Sequence, residues 1–125
     1  MATFSICRSC ILVVDDDLSV LRILSKILRK AGLDVTAVDT GELALKNLRS
    51  HTYDLAIIDV RLQDMNGLDL LDKINKITPE MRKIILTGYP SDEDRGRALE
   101  LGAFLYLSKP IKPEKLIEIV KQTIN

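Results

Sequence analysis

Five short apolar runs alternate with amphipathic segments along the whole chain, and this alternation limits what the chain can become. The runs cover residues 11–14, 35–38, 55–58, 84–86 and 104–107 and are rich in Val, Ile and Leu. Strands buried on both faces have this composition, because a parallel sheet flanked by helices offers them no solvated side. The intervening segments have helical spacing. Leu21, Leu24, Ile27 and Leu28 form one stripe that stops at Ala31-Gly32, where Gly32 suits a helix C-terminus. Leu45 and Leu48 mark a second helix over residues 41–50. Leu68, Leu71, Ile74 and Ile77 mark a third that ends at Thr78-Pro79. The fourth opens at Ser91, a good cap, followed by acids that favour the positive helix end. It is also the most polar. The fifth has Pro113 in its first turn and then Leu116, Val120 and Ile124. Strand-helix repetition predicts an α/β fold, a doubly wound five-stranded parallel sheet with helices on both faces. At 125 residues, 46% of them apolar, the chain suits one domain with a real core.

In open sheets of this kind the functional crevice lies beyond the carboxyl ends of the strands. The first run ends in Asp15-Asp16-Asp17, the third in Asp59, the fourth in Thr87-Gly88 and the fifth in Ser108-Lys109-Pro110. Like charges about 4 Å apart repel by roughly 4 kcal/mol at an effective dielectric near 20. The aspartate triplet therefore points to a cation site or, more plainly, to a turn with a helix cap. A cap accounts for one aspartate of the three. Each residue alone has an ordinary reading, Asp59 as a turn former, Thr87 as a cap and Lys109 as a solvated charge. Their joint placement on strand ends is what points to a site.

Composition excludes several alternatives. Lys plus Arg and Asp plus Glu both number 18, so there is no basic excess for non-specific nucleic-acid binding. No apolar stretch approaches the roughly 18 residues needed to cross a bilayer, and MATFSICRSC lacks a signal-peptide apolar region. No membrane association and a cytoplasmic location are the expectations. Cys7 and Cys10 form a CxxC ahead of the first strand. A zinc site needs about four ligands, and His51 is the only histidine. The pair reads as two ordinary thiols, and His51 as a surface residue.

The segments ILVVDDD, YDLAIIDVRLQDMNG, KIILTG and YLSKP, in this order, resemble the receiver domain of two-component response regulators. The resemblance spans essentially the whole chain and implies a single receiver domain over residues 1–125, with 1–9 as a flexible extension. It implies that Asp59 is the phosphoacceptor of a His-Asp phosphorelay, supplied by a sensor histidine kinase or a phosphotransfer protein. It implies Mg2+ held by Asp16, Asp59 and the backbone carbonyl of Arg61, with Asp15 acting through a water. Lys109 would pair with Asp59 and then with a phosphoryl oxygen, and a cis peptide at Pro110 would aim it. Thr87 would bond the phosphoryl group, and Tyr106 would swing inward as Thr87 moves. The chain would assist its own phosphorylation and dephosphorylation without being an enzyme toward other substrates. The kinase would dock near residues 18–24, and the fourth helix, fifth strand and fifth helix would carry the signal to a downstream effector or fused output domain.

One departure stands out. Receivers commonly have Pro where this chain has Gln63, so a looser loop is expected there. Arg61 and Gly88 are expected to tune the acyl-phosphate lifetime. Two other readings compete. A haloacid-dehalogenase-type phosphatase would use Asp15, Asp17, Thr87 and Lys109, but Leu18 stands where such enzymes have Gly and Asp59 goes unexplained. A receiver-like binding module independent of phosphorylation would not need the intact acid pair.

Overall fold

The computed structural model describes residues 9–125. Its strands are β1 (Cys10–Val14), β2 (Asp34–Val38), β3 (Leu55–Ile58), β4 (Arg82–Thr87) and β5 (Leu105–Ser108). Its helices are α1 (Leu18–Lys30), α2 (Gly41–Ser50), α3 (Gly67–Ile77), α4 (Asp92–Glu100) and α5 (Pro113–Ile124). The strands form one parallel sheet in the order β2-β1-β3-β4-β5. The order reverses between β1 and β3, so the acids at their carboxyl ends meet at the switch point where such sheets bind ligands.

Strand alternation sorts the core into two layers. Leu12, Val14, Ala56, Ile58 and Ile85 pack with α2, α3 and α4. Ile11, Val13, Leu55, Ile57, Ile84 and Leu86 pack with α1 and α5. Both faces of the sheet are buried, which is why the apolar runs are continuous and do not alternate with polar residues.

The helix ends follow local chemistry. Asp17 caps α1, its carboxylate accepting from the Ser19 and Val20 N–H groups. Ser91 caps α4 by accepting from Asp94. Gly32 has φ +90°, and the Leu33 and Gly32 N–H groups donate to the Leu28 and Arg29 carbonyls. That is the Schellman arrangement, which needs the left-handed conformation glycine adopts without strain. Gly102 closes α4 in the same way.

Two expectations need correction. The loop after β3 is tied down despite Gln63. Asp64 accepts from the Gly41 and Glu42 N–H groups at 2.9 and 3.0 Å and so caps α2 from outside. Those bonds, led by the one from Gly41, hold its carboxyl below the usual carboxylate range. Cys10 is not an ordinary thiol but is disulfide-bonded. Cys7, and all but Ser9 of the expected extension, lie outside the described residues.

Candidate functional site

The site grows from the ends of β1, β3, β4 and β5. β1 delivers Asp15 as its chain leaves the sheet, and β3 delivers Asp59. Both are buried, at 2% and 7% exposure, although carboxylates are rarely found so deep without a partner. Asp16, one residue further on, is exposed. Asp15, Asp16 and Asp59 each offer a carboxylate oxygen within 4.8 Å of the others. Asp17 is engaged as the α1 cap, so the triplet divides into two site acids and one structural one.

Lys109 answers the buried charge. Its Nζ donates to Asp15 Oδ2 at 2.6 Å and to Asp59 Oδ2 at 3.3 Å. The shorter bond thus goes to Asp15, whereas the resemblance emphasised Asp59. The Lys109–Pro110 peptide is cis, and the Lys109 N–H donates to the Thr87 carbonyl, locking the lysine beside the end of β4. Burial alone would lower the ammonium's pKa. The bond and charge of Asp15, followed by those of Asp59, outweigh it and raise the value. Burial, reinforced by the Asp15 charge, raises the Asp59 pKa against the pull of Lys109. One ammonium therefore faces two buried carboxylates, a local excess of negative charge that a divalent cation would relieve.

The acids fit such an ion. Magnesium takes oxygen ligands at about 2.0–2.1 Å in octahedral geometry, so opposite ligands stand roughly 4 Å apart. Three oxygens within 4.8 Å match that span with small rotamer adjustments. Hard carboxylate oxygens without nitrogen or sulfur donors suit magnesium or calcium better than zinc.

The neighbouring backbone is built for close approach. A Cβ on Gly67 would lie 2.0 Å from the Asp59 carbonyl oxygen, so only glycine lets α3 start there. The Gly67 N–H donates to the Val60 carbonyl at 2.6 Å, and Asn66 caps α3 through Leu68. The Arg61 N–H approaches Asp59 Oδ1 at 3.4 Å.

Thr87 is fully buried, and its hydroxyl accepts from the Tyr89 N–H at 3.1 Å. Tyr106 is buried too. Its hydroxyl accepts from the Ser91 N–H at 3.2 Å, so the ring points inward with its polar end on the β4–α4 loop. The Arg95 guanidinium stacks 4.9 Å from the ring centre. Arg61 turns its guanidinium over the Tyr89 ring at 4.0 Å, joining the loops that follow β3 and β4 across the mouth of the site. Sequence reasoning singled out Arg61 but missed Tyr89. Two aromatic and cationic residues 28 positions apart carry no local pattern.

Comparison with known proteins identifies the family and the fold. Residues 11–121 match the family described as the response regulator receiver domain. The chain is 40% identical over 106 residues to the transcriptional regulatory protein ZraR of Escherichia coli (strain K12), covering 85% of this chain and 24% of that protein. It is 34% identical over 115 residues to the DNA-binding transcriptional regulator NtrC of Azospirillum brasilense, covering 92% of this chain and 24% of that one. It thus spans about a quarter of the length of these curated relatives. Among solved structures, a CheY-like receiver domain protein from Methanospirillum hungatei JF-1 superposes with a TM-score of 0.91 at 37% identity, covering 93% of each chain. The BeF3-activated DrrB receiver domain superposes with a TM-score of 0.85 at 33% identity, covering 93% of this chain and 97% of that one.

Proposed function

The chain belongs to the response regulator receiver family, and from that premise we propose that Asp59 accepts a phosphoryl group from a phosphohistidine and thereby switches the surface around α4. The observation that carries this reading is the trio of Asp15, Asp16 and Asp59 closed by Lys109 at the sheet's switch point. In the transfer, an Asp59 carboxylate oxygen attacks phosphorus. The new O–P bond forms as the donor's N–P bond breaks, and the histidine nitrogen keeps the bonding pair. Asp15, Asp16, Asp59 and the Arg61 carbonyl would hold Mg2+, which when bound offsets the negative charge of the phosphoryl group. Lys109 sits where it can hand one N–H from Asp59 to a phosphoryl oxygen while keeping its bond to Asp15.

The chain aids a reaction on its own side chain, so it acts as a signalling phosphoacceptor and not as an enzyme toward other substrates. Phosphorylation replaces a carboxylate by a group of about −2 charge with three acceptor oxygens. The Thr87 hydroxyl, which accepts from the Tyr89 N–H, keeps its own hydrogen to donate to such an oxygen, and moving toward it would pull on the Tyr89 bond. The β4–α4 loop that follows carries the Ser91 N–H bonded to Tyr106, which gives a physical route from site to surface.

The partners on this reading are a sensor histidine kinase or phosphotransfer protein upstream and an effector or output domain downstream. Among the described residues no helix is long and apolar enough to cross a membrane, in keeping with a cytoplasmic location. The phosphatase alternative loses support because Asp17 is an exposed cap outside the acid cluster. Incubation with acetyl phosphate and Mg2+, followed by intact-mass measurement, tests the proposal. Wild type should gain one phosphoryl group, and Asp59→Asn and metal-free wild type should gain none. Labelling of Asp59→Asn would refute it.

A further inference from the structure

The flank of α1 that faces the edge strand β2 holds a groove of about 590 Å³ that contains none of the site residues described above. Leu18, Leu21 and Ala37 give it apolar walls, and Arg22, Lys26 and Arg29 give it a cationic rim. The opposite flank of the helix, where Val20, Ile23, Leu24 and Ile27 lead to Lys109, is a separate groove.

Ser25 completes the lining and marks the groove as a site. It is 5% exposed, yet among the described residues its hydroxyl has no hydrogen-bond partner. A serine or threonine hydroxyl inside a helix commonly turns back on the carbonyl four residues earlier. Thr123, equally buried, does so onto Ile119 at 2.7 Å. Ser25 makes no such bond to Leu21. A buried hydroxyl without a partner is a cost that Ala, the better helix former, would avoid.

The cations are placed around that hydroxyl. Arg22 stands one turn before Ser25, Lys26 beside it and Arg29 one turn after, all on one helix face. α1 contains no acid, and among the described residues none of the three cations has an ion-pair partner. Arg22 and Lys26, four residues apart, repel each other. Arg29 donates one N–H to the Val35 carbonyl at 2.9 Å, which fixes its guanidinium at the rim and leaves its other donors for a ligand.

We propose that this groove binds a small phosphate monoester with a flat apolar body. The phosphate accepts from the Ser25 hydroxyl and is held by Arg22, Lys26 and Arg29, while the body lies toward Leu21, Leu18 and Ala37. Three cations favour a dianion over a carboxylate, and guanidinium forks match phosphate oxygens. An added peptide strand fits less well. Asp34 and Val38 spend their backbone bonds on β1, so Val35 and Ala37 form the open edge, and Arg29 already occupies the Val35 carbonyl. The proposal stands apart from the phosphoacceptor reading.

The test titrates the 15N-labelled chain with phenyl phosphate in the absence of Mg2+. Amide shifts are expected over residues 18–29 and at Ala37, with Asp59, Thr87 and Lys109 unmoved. Inorganic phosphate should bind about ten-fold more weakly, for want of an apolar body. Arg22→Ala with Arg29→Ala should weaken phenyl phosphate at least about ten-fold, as the loss of charge-assisted bonds requires. Ser25→Ala is the variant that leaves the helix safe. It should weaken binding about five-fold while the thermal midpoint of the free chain stays equal or rises, because the lost hydroxyl had no partner to lose. The proposal falls if the shifts centre on Asp15, Asp59 and Lys109, if inorganic phosphate binds as tightly as phenyl phosphate, or if an extended acidic peptide displaces phenyl phosphate. It falls equally if Ser25→Ala lowers the midpoint and leaves binding unchanged, which would give the hydroxyl an internal role.

Discussion

α3 and α4 are neighbours on the same face of the sheet, yet they are held in different ways. α3 buries Gly67, Leu68, Leu70, Leu71 and Ile74, whereas α4 buries only Ala98. What secures α4 is mostly polar: the Ser91 cap, the Ser91 bond to Tyr106, the Asn75 amide on the Leu101 carbonyl at 2.5 Å, and the exposed Arg97–Asp69 pair. Dispersion and burial make an anchored frame, while a handful of hydrogen bonds make an element that can be repositioned for about their own worth. The site straddles the two regimes. Asp15 and Asp59 end β1 and β3 in the anchored half, Thr87 and Tyr106 are buried in β4 and β5 but have their hydroxyls bonded to the β4–α4 loop, and Lys109 reaches from the end of β5 to both acids. A change at Asp59 can therefore leave the frame standing while it shifts α4.

The strongest way to break this contrast is to attack the frame. Gly67→Ala forces a methyl into the Asp59 carbonyl, and the backbone has to yield. Overpacking costs about 1–3 kcal/mol where side chains can adjust, so a loss at or above the upper end is expected in urea unfolding, together with loss of phosphorylation. Leu71→Ala, in the same helix, should cost about 2–5 kcal/mol, against roughly 1 kcal/mol for Ala98→Gly in α4. Equal losses would end the comparison.

Next in size is the bridge. Lys109→Met strands two buried carboxylates, and breaking such a pair costs about 3–5 kcal/mol when fully buried. The lysine side chain keeps 20% of its exposure, so about 2–3 kcal/mol is expected. The loss should shrink in acid as Asp59, whose pKa is raised by burial, takes up its proton. Asp59→Asn works in the opposite sense. The Asp59 pKa is raised above 3.8, chiefly by burial and then by Asp15. Its penalty is absent below the unfolded value and complete above the folded one. Asp59→Asn should thus melt higher than wild type at neutral pH, and the difference should fade as pH falls toward 3.8. A difference that is unchanged in acid would assign the effect to packing.

Much of this division was legible in the sequence. The apolar runs showed the strands because they are buried on both faces. The strand-end rule then assembled Asp15, Asp59, Thr87 and Lys109 without any contact being known. The weak apolar content of α4 was visible too, since burial writes itself as periodicity. Polar contacts between distant loops do not. Asp64 reaching α2, Asp54 accepting from the Cys10 N–H at 2.8 Å, and Arg61 over Tyr89 each depend on where the fold brings a side chain. The expectation of a loose loop at Gln63 failed for this reason, because the missing proline was judged without its neighbour Asp64.

Smaller changes probe the latches of α4. Tyr106→Phe removes the acceptor of the Ser91 N–H while keeping the ring, for about 0.5–1.5 kcal/mol. Amide exchange should speed up across α4 and its preceding loop and stay unchanged in α3.

Arg97→Ala should have the least effect, although its bond to Asp69 is short at 2.6 Å. Length alone is a poor guide here. The two side chains are 48% and 55% exposed, so water and salt supply most of what each loses when the other is removed, and ordering two long side chains opposes the attraction. No measurable change in unfolding midpoint is therefore expected, and raising the ionic strength should not alter that result. If Arg97→Ala did destabilise the chain, or sped up α3 and α4 exchange alike, the pair would be fastening α4 to the frame, and the contrast between an anchored helix and a movable one would no longer hold.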